Sequence, residues 1–116
     1  MRFGNRLFIT GASGTLGGPL SEQAASAGWD VYAGFLTHPQ GVRAGMPVQL
    51  DLRDRDRVLA TLLPLRPDVI IHAAVTERSG SGYDEAIRLA ARSIAEAARV
   101  IGARLIALST DLVFDG

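Results

Sequence analysis

Three glycines constrain this chain more than any other feature. Gly11, Gly14 and Gly17 are spaced G-x-x-G-x-x-G directly after the apolar, strand-like run Leu7-Phe8-Ile9-Thr10 and directly before a helical pattern. Strand, glycine turn and helix in that order are what a nucleotide-binding unit requires, and taken alone they read equally as a glycine-rich turn with no ligand. Gly11 can take backbone angles closed to other residues, Gly14 lets the main chain approach a ligand, and Gly17 lets the helix lie against its strand. The free N–H groups of the helix start would then face an anion. Pro19 places that start near Thr15 or Leu16, because a proline is harmless only where the helical N–H has no partner.

The rest of the chain alternates strand and helix. Arg6–Thr10 reads as a first strand, and Leu16, Leu20, Ala24 and Ala27 form one face of a helix that Gly28 stops. Asp30–Phe35 reads as a second strand, 37–46 as a loop, and 47–50 as a short third strand ending at Asp51. Asp54 opens a second helix whose buried face is Val58, Leu59, Leu62 and Leu63, with Pro64 and Pro67 ending it. The run 68–72, apolar on both faces, reads as a central parallel strand covered on each side. Residues 77–82 read as a mobile polar loop, and Asp84 as the cap of a long helix. That helix, over 84–101, presents Ile87, Ala90, Ala91, Ile94, Ala97, Ala98 and Ile101, and 104–109 reads as a fifth strand. Connections too long for hairpins predict an α/β fold, a doubly wound parallel sheet of Rossmann type with strand order 3-2-1-4-5.

Composition narrows the function. The 116 residues, 47% of them hydrophobic, suffice for one core. Twelve basic and twelve acidic residues cancel, so there is no electrostatic footprint for nucleic acid or an anionic membrane. The first residues lack the apolar run of a signal peptide, no segment reaches the roughly 18 apolar residues of a membrane span, and there is no cysteine. The expected location is cytoplasmic, with no metal site. All twelve basic residues are arginine.

In a doubly wound sheet, ligands bind beyond the carboxyl ends of the strands. Four segments collect there: the glycine turn, Asp51-Leu52, His72-Ala73-Ala74-Val75-Thr76 and Ser109-Thr110-Asp111. Together with Pro67-Asp68-Val69-Ile70-Ile71 and the closing Leu112-Val113-Phe114-Asp115-Gly116, they resemble an extended short-chain dehydrogenase/reductase. The particular likeness is to the dTDP-4-dehydrorhamnose reductase branch, in which an S-T-D-x-V-F-D-G run ends the fifth strand.

That resemblance implies an NADP (or NAD) site built by Gly11, Ser13, Gly14, Thr15, Leu16, Gly17, Asp51, Leu52, Ala73, Ala74 and Thr76. The N–H groups of Thr15 and Leu16 would face the pyrophosphate, and Asp51 would accept from the adenine amino group with Leu52 beside the ring. Asp51 also reads as a plain turn carboxylate leading toward Asp54. Ala73 and Ala74 read equally as core packing. Thr110 falls on the catalytic Ser/Thr position, whose hydroxyl holds the substrate carbonyl while a tyrosine delivers the proton; it also reads as a threonine ending a strand. His72 is a lone histidine at a strand end and reads as a satisfied structural residue.

The sequence departs from the family at three places. Its Tyr-x-x-x-Lys pair is missing: Tyr32 is followed four residues later by Leu36, Tyr83 by Ile87, and there is no lysine. Phe35-Leu36-Thr37-His38 offers no acid for a ribose 2′-hydroxyl, which favours NADP, with His38 and Arg43 as partners for a 2′-phosphate. Thr76 stands where the reductases usually have tyrosine.

The expected activity is NAD(P)H-dependent reduction of a 4-keto nucleotide sugar, with residues 1–116 forming the N-terminal part of the dinucleotide-binding domain and the substrate domain outside them. The alternatives are a non-catalytic NADP-binding or regulatory protein, or a nucleotide-sugar epimerase or dehydratase. The expected partner is a small nucleotide-sugar molecule. A homodimer could form through the apolar edge at 105–108 or through the long helix.

Overall fold

Five parallel strands lie side by side in the order β3-β2-β1-β4-β5. The structure, a computed structural model, describes residues 5–73 and 83–108, with side chains from 85 onward in the second segment. Its strands are β1 (Arg6–Thr10), β2 (Asp30–Phe35), β3 (Met46–Gln49), β4 (Val69–His72) and β5 (Arg104–Ala107). Its helices are α1 (Gly17–Ser26), α2 (Arg55–Leu65) and α3 (Tyr83–Ile101). The predicted fold class and strand order are those observed.

Strand periodicity divides the core in two. Successive side chains point to opposite faces of a sheet, so Leu7 and Ile9 go one way and Phe8 the other. On one face Leu7, Ile9, Val31 and Ala33 are buried, with Leu16, Leu20, Ala24 and Trp29 packed against them. On the opposite face Phe8 and Ile70 meet Val58 and Leu62 of α2 and Ile94, Ala97 and Ala98 of α3. β1 pairs with both β2 and β4, so Phe8 lies between Tyr32 and Ile70. It is fully buried.

Several boundaries differ from the sequence reading, each for a local reason. α2 continues through Pro64 to Leu65 before Arg66 turns left-handed at φ 48° and donates its N–H to Leu62 O at 2.8 Å. A proline in the last turn removes one ladder bond without blocking the residues before it. Leu63 is 40% exposed and Ile87 is 38% exposed, because the buried stripes run through Val58 and Leu62 and through Ile94, Ala97 and Ala98. Ala27 and Ala91 are exposed as well. β3 is shifted to Met46–Gln49 and the loop before it contains a single 3-10 turn, Pro39–Gly41. β5 ends at Ala107, with Ile106 42% and Leu108 37% exposed. The loop at 77–82 and the Asp84 cap lie outside the described residues and side chains.

Candidate functional site

The carboxyl ends of β1, β2, β3 and β4 open onto one cleft of about 870 Å³, within the size range of small-molecule sites. Its near wall is the glycine turn. Gly11 takes φ 66°, a conformation that glycine reaches at little cost, and its carbonyl accepts the Gly14 N–H at 3.0 Å. Gly18 N–H donates to Gly14 O at 3.0 Å, so the helical hydrogen-bond pattern begins before the first residue of α1. That leaves the N–H groups of Thr15 and Leu16 with no acceptor among the described residues. They are the orphan donors every helix start carries, and here they line a cleft.

Gly17 does not line the cleft but permits it. A Cβ there would stand 2.1 Å from Gly11 O and 2.7 Å from Gly11 C, so only glycine lets α1 start this close to the turn. Ser21 tightens the same region, its hydroxyl being within hydrogen-bonding reach of Gly17 O and Gly18 O at 2.9 and 2.8 Å.

The far end is built by the exits of β2 and β3. Phe35, Leu36, Thr37 and His38 line it together with Leu50, Asp51, Leu52 and Arg53. The two exits are fastened to each other: Leu50 N–H donates to Phe35 O, and Gln49 Nε2–H to Leu36 O, both at 2.9 Å. Asp51 Oδ1 accepts the Arg53 backbone N–H and Nε–H, each at 3.0 Å, and Oδ2 accepts Nη2–H at 2.8 Å. The hydrogen bond from the Arg53 side chain holds the Asp51 carboxyl below its ordinary pKa, outweighing a smaller opposing effect of burial. The carboxylate is thus charged at neutral pH and keeps acceptor capacity on Oδ2.

The floor is formed where β1 and β4 end. Ala73 N–H donates to Thr10 Oγ1 at 2.9 Å, and Thr10 Oγ1 lies 2.9 Å from His72 Nδ1. His72 therefore braces the strand ends, in agreement with its reading as a structural residue. Burial pushes its pKa below the ordinary 6.5. The unfolded chain consequently takes up a proton first as pH falls, so the stability from the neutral ring is complete above about pH 6.5 and is lost through the depressed folded value. The thermal midpoint is expected to drop as pH falls below about 6.5. His72→Gln should flatten that slope; an equal slope in the variant would contradict the burial argument.

Of the residues singled out in the sequence, Gly11, Ser13, Gly14, Thr15, Leu16, Asp51, Leu52 and Ala73 line this cleft. Ala74, Thr76 and Thr110 lie outside the described residues. Arg43 pairs with Glu22 at 3.3 Å, its stem lies beside Gly18, and it is not among the residues that line the cleft. The sequence reading missed Arg53, although it stands two residues after Asp51, and Ala86. The spacing of Ala86 and Ala90, four apart and both small, carried a signal of a helix face kept clear for something else.

The geometry has counterparts in known proteins. A family model described as the RmlD substrate binding domain matches residues 5–116. The chain is 39% identical to a dTDP-4-dehydrorhamnose reductase of Mycobacterium tuberculosis over 117 residues, covering 96% of this chain and 34% of that protein. It is 34% identical over 119 residues to methionine adenosyltransferase 2 subunit beta of Mus musculus, again covering 96% of this chain and 34% of that one. The crystal structure of a hypothetical dTDP-4-dehydrorhamnose reductase from Sulfolobus tokodaii superposes with a TM-score of 0.76 at 34% identity, over 96% of this chain and 41% of that one. The chain thus spans about a third of the length of the curated relatives it matches. With its parallel sheet, glycine turn and strand-end cleft, the chain belongs to the RmlD family, the dTDP-4-dehydrorhamnose reductase-like branch of the extended short-chain dehydrogenase/reductases.

Proposed function

We propose that this chain supplies the dinucleotide-binding half of an NAD(P)H-dependent reductase acting on a 4-keto nucleotide sugar. The observation that carries this reading is the cleft itself, with the N–H groups of Thr15 and Leu16, which have no acceptor among the described residues, at one end and Asp51 at the other. Two N–H donors at a helix start suit a pyrophosphate, and a charged carboxylate with a vacant lone pair suits an adenine amino group. Gly14 stands open toward the cleft, where a main chain without a side chain lets a phosphate come close. The residues present therefore fit a dinucleotide. The cofactor supplies the hydride, and this chain's part is to bind and orient it. Thr110 holds the substrate carbonyl, and the acid is a tyrosine outside these residues.

A second reading, a non-catalytic regulatory protein, is supported by the likeness to methionine adenosyltransferase 2 subunit beta. A Tyr-x-x-x-Lys pair within about one helix after Gly116 in the parent protein separates the two, because that pair carries the family's acid–base chemistry.

Titration with NADPH is expected to change the cofactor's fluorescence and raise the thermal midpoint by several degrees, since ligand at about 100 times its Kd adds about 2.7 kcal/mol. No change in either signal would sink the dinucleotide reading. The 116 residues alone should show no turnover of a dTDP-4-keto-6-deoxy sugar, and measurable turnover would refute the external tyrosine.

A further inference from the structure

Resting on the dinucleotide reading of the cleft, we propose that Arg53 recognises a phosphate on the adenosine ribose and so sets selectivity for NADPH over NADH. Asp51 engages one edge of the guanidinium, through Nε–H and one Nη2–H. A guanidinium carries five N–H donors in a rigid plane. The two Nη1 hydrogens and the second Nη2 hydrogen remain, and no acceptor among the described residues takes them. They form a second edge of the kind that binds an oxyanion through two parallel hydrogen bonds.

The position of that edge is what gives it a role. Arg53 lines the same cleft as Leu36, Thr37 and His38, and the β2 exit is where sheets of this type read the ribose 2′ position. The Gln49 and Leu50 hydrogen bonds to Leu36 and Phe35 hold the β3 exit beside it. No carboxylate stands at the β2 exit to accept a 2′-hydroxyl. Among the described residues that line the cleft the one carboxylate is Asp51, and Arg53 covers its charge. The end of the cleft is thereby made tolerant of a phosphate that a bare Asp51 would repel. Arg43 does not line this cleft and is paired with Glu22.

The pair does little for folding, since both side chains are well exposed, 55% and 38%, and exposed ion pairs contribute almost nothing. Arg53→Ala is therefore a clean probe. In the full protein, NADPH and NADH are titrated separately by fluorescence, with 2′,5′-ADP and ADP as probes of the ribose phosphate alone. Wild type should prefer NADPH and 2′,5′-ADP. Arg53→Ala should weaken both by at least about tenfold, the scale of lost charge-assisted hydrogen bonds, while NADH and ADP change by less than about twofold. Arg53→Lys should fall between, since a point charge replaces the fork. In Asp51→Asn/Arg53→Ala the weak phosphate binding should persist; its recovery would show that Arg53 merely masks Asp51 and would overturn the proposal. Parallel loss of NADPH and NADH, or unchanged NADPH binding, would overturn it too while leaving the dinucleotide reading intact. A protein that binds neither cofactor would overturn both.

Discussion

Gly17→Ala is expected to abolish dinucleotide binding and to lower the thermal midpoint by several degrees. The added methyl would sit 2.1 Å from Gly11 O, 2.7 Å from Gly11 C and 3.0 Å from Ala12 Cα. All three are backbone atoms, which cannot rotate aside as a side chain can, so α1 must lift away from the turn. Alanine gains about 0.5–1 kcal/mol over glycine within a helix. Overpacking of this kind costs about 1–3 kcal/mol or more, so the clash wins. Lifting α1 also carries the Thr15 and Leu16 N–H groups out of place. Gly14→Ala is the control, since its methyl would meet Gly11 O at 3.4 Å, near ordinary contact. It should fold much like wild type and weaken binding only by crowding the ligand. Circular dichroism melts alongside NADPH titration separate the two variants, and a Gly17→Ala protein indistinguishable from wild type would refute the close-approach argument.

The second large effect is expected at Phe8. Its ring is fully buried between α2, α3 and the centre of the sheet, and it also forms part of the cleft lining. Its edge lies so close to β2 that a Cβ on Gly34 would meet Phe8 Cζ at 2.9 Å. Phe8→Ala should cost about 3–5 kcal/mol, the transfer and cavity terms together. Against a usual total of about 5–15 kcal/mol, that is enough to leave a substantial unfolded population on mild warming. Urea unfolding should show a much lower midpoint with an unchanged slope. A shift under about 1 kcal/mol would mean that neighbouring side chains close the hole.

These two residues also show what was legible in the sequence. The glycine spacing and the alternation of Leu7, Phe8 and Ile9 are local patterns, and each has one reading in terms of backbone freedom or strand period. They gave the turn, the strand order and both core faces. The cleft residues after β3 and β4 followed from the rule that ligands gather at strand ends.

What the sequence did not carry was lateral placement. Arg43 and Arg53 are both arginines in polar stretches, and spacing cannot say which one turns toward the cleft. In the structure Arg43 pairs with Glu22 on α1, and a short turn folds Arg53 back onto Asp51. Leu63 and Ile87 were misjudged for a similar reason. Helical periodicity defines a wide apolar arc, and only the neighbouring element determines how much of that arc is covered. Pro64 misled because a breaker acts on the residues before it, and at the last turn few of those remain.

The bridge from Thr10 to His72 and Ala73 joins residues more than 60 positions apart in the chain. Contacts of such separation are slow to form because the intervening segment must first lose its freedom. A chain that has assembled only β1, α1 and β2 has the glycine turn but no floor beneath it, since the floor needs β4 beside β1. A ligand of this cleft would therefore stabilise the completed topology and not the half-built one.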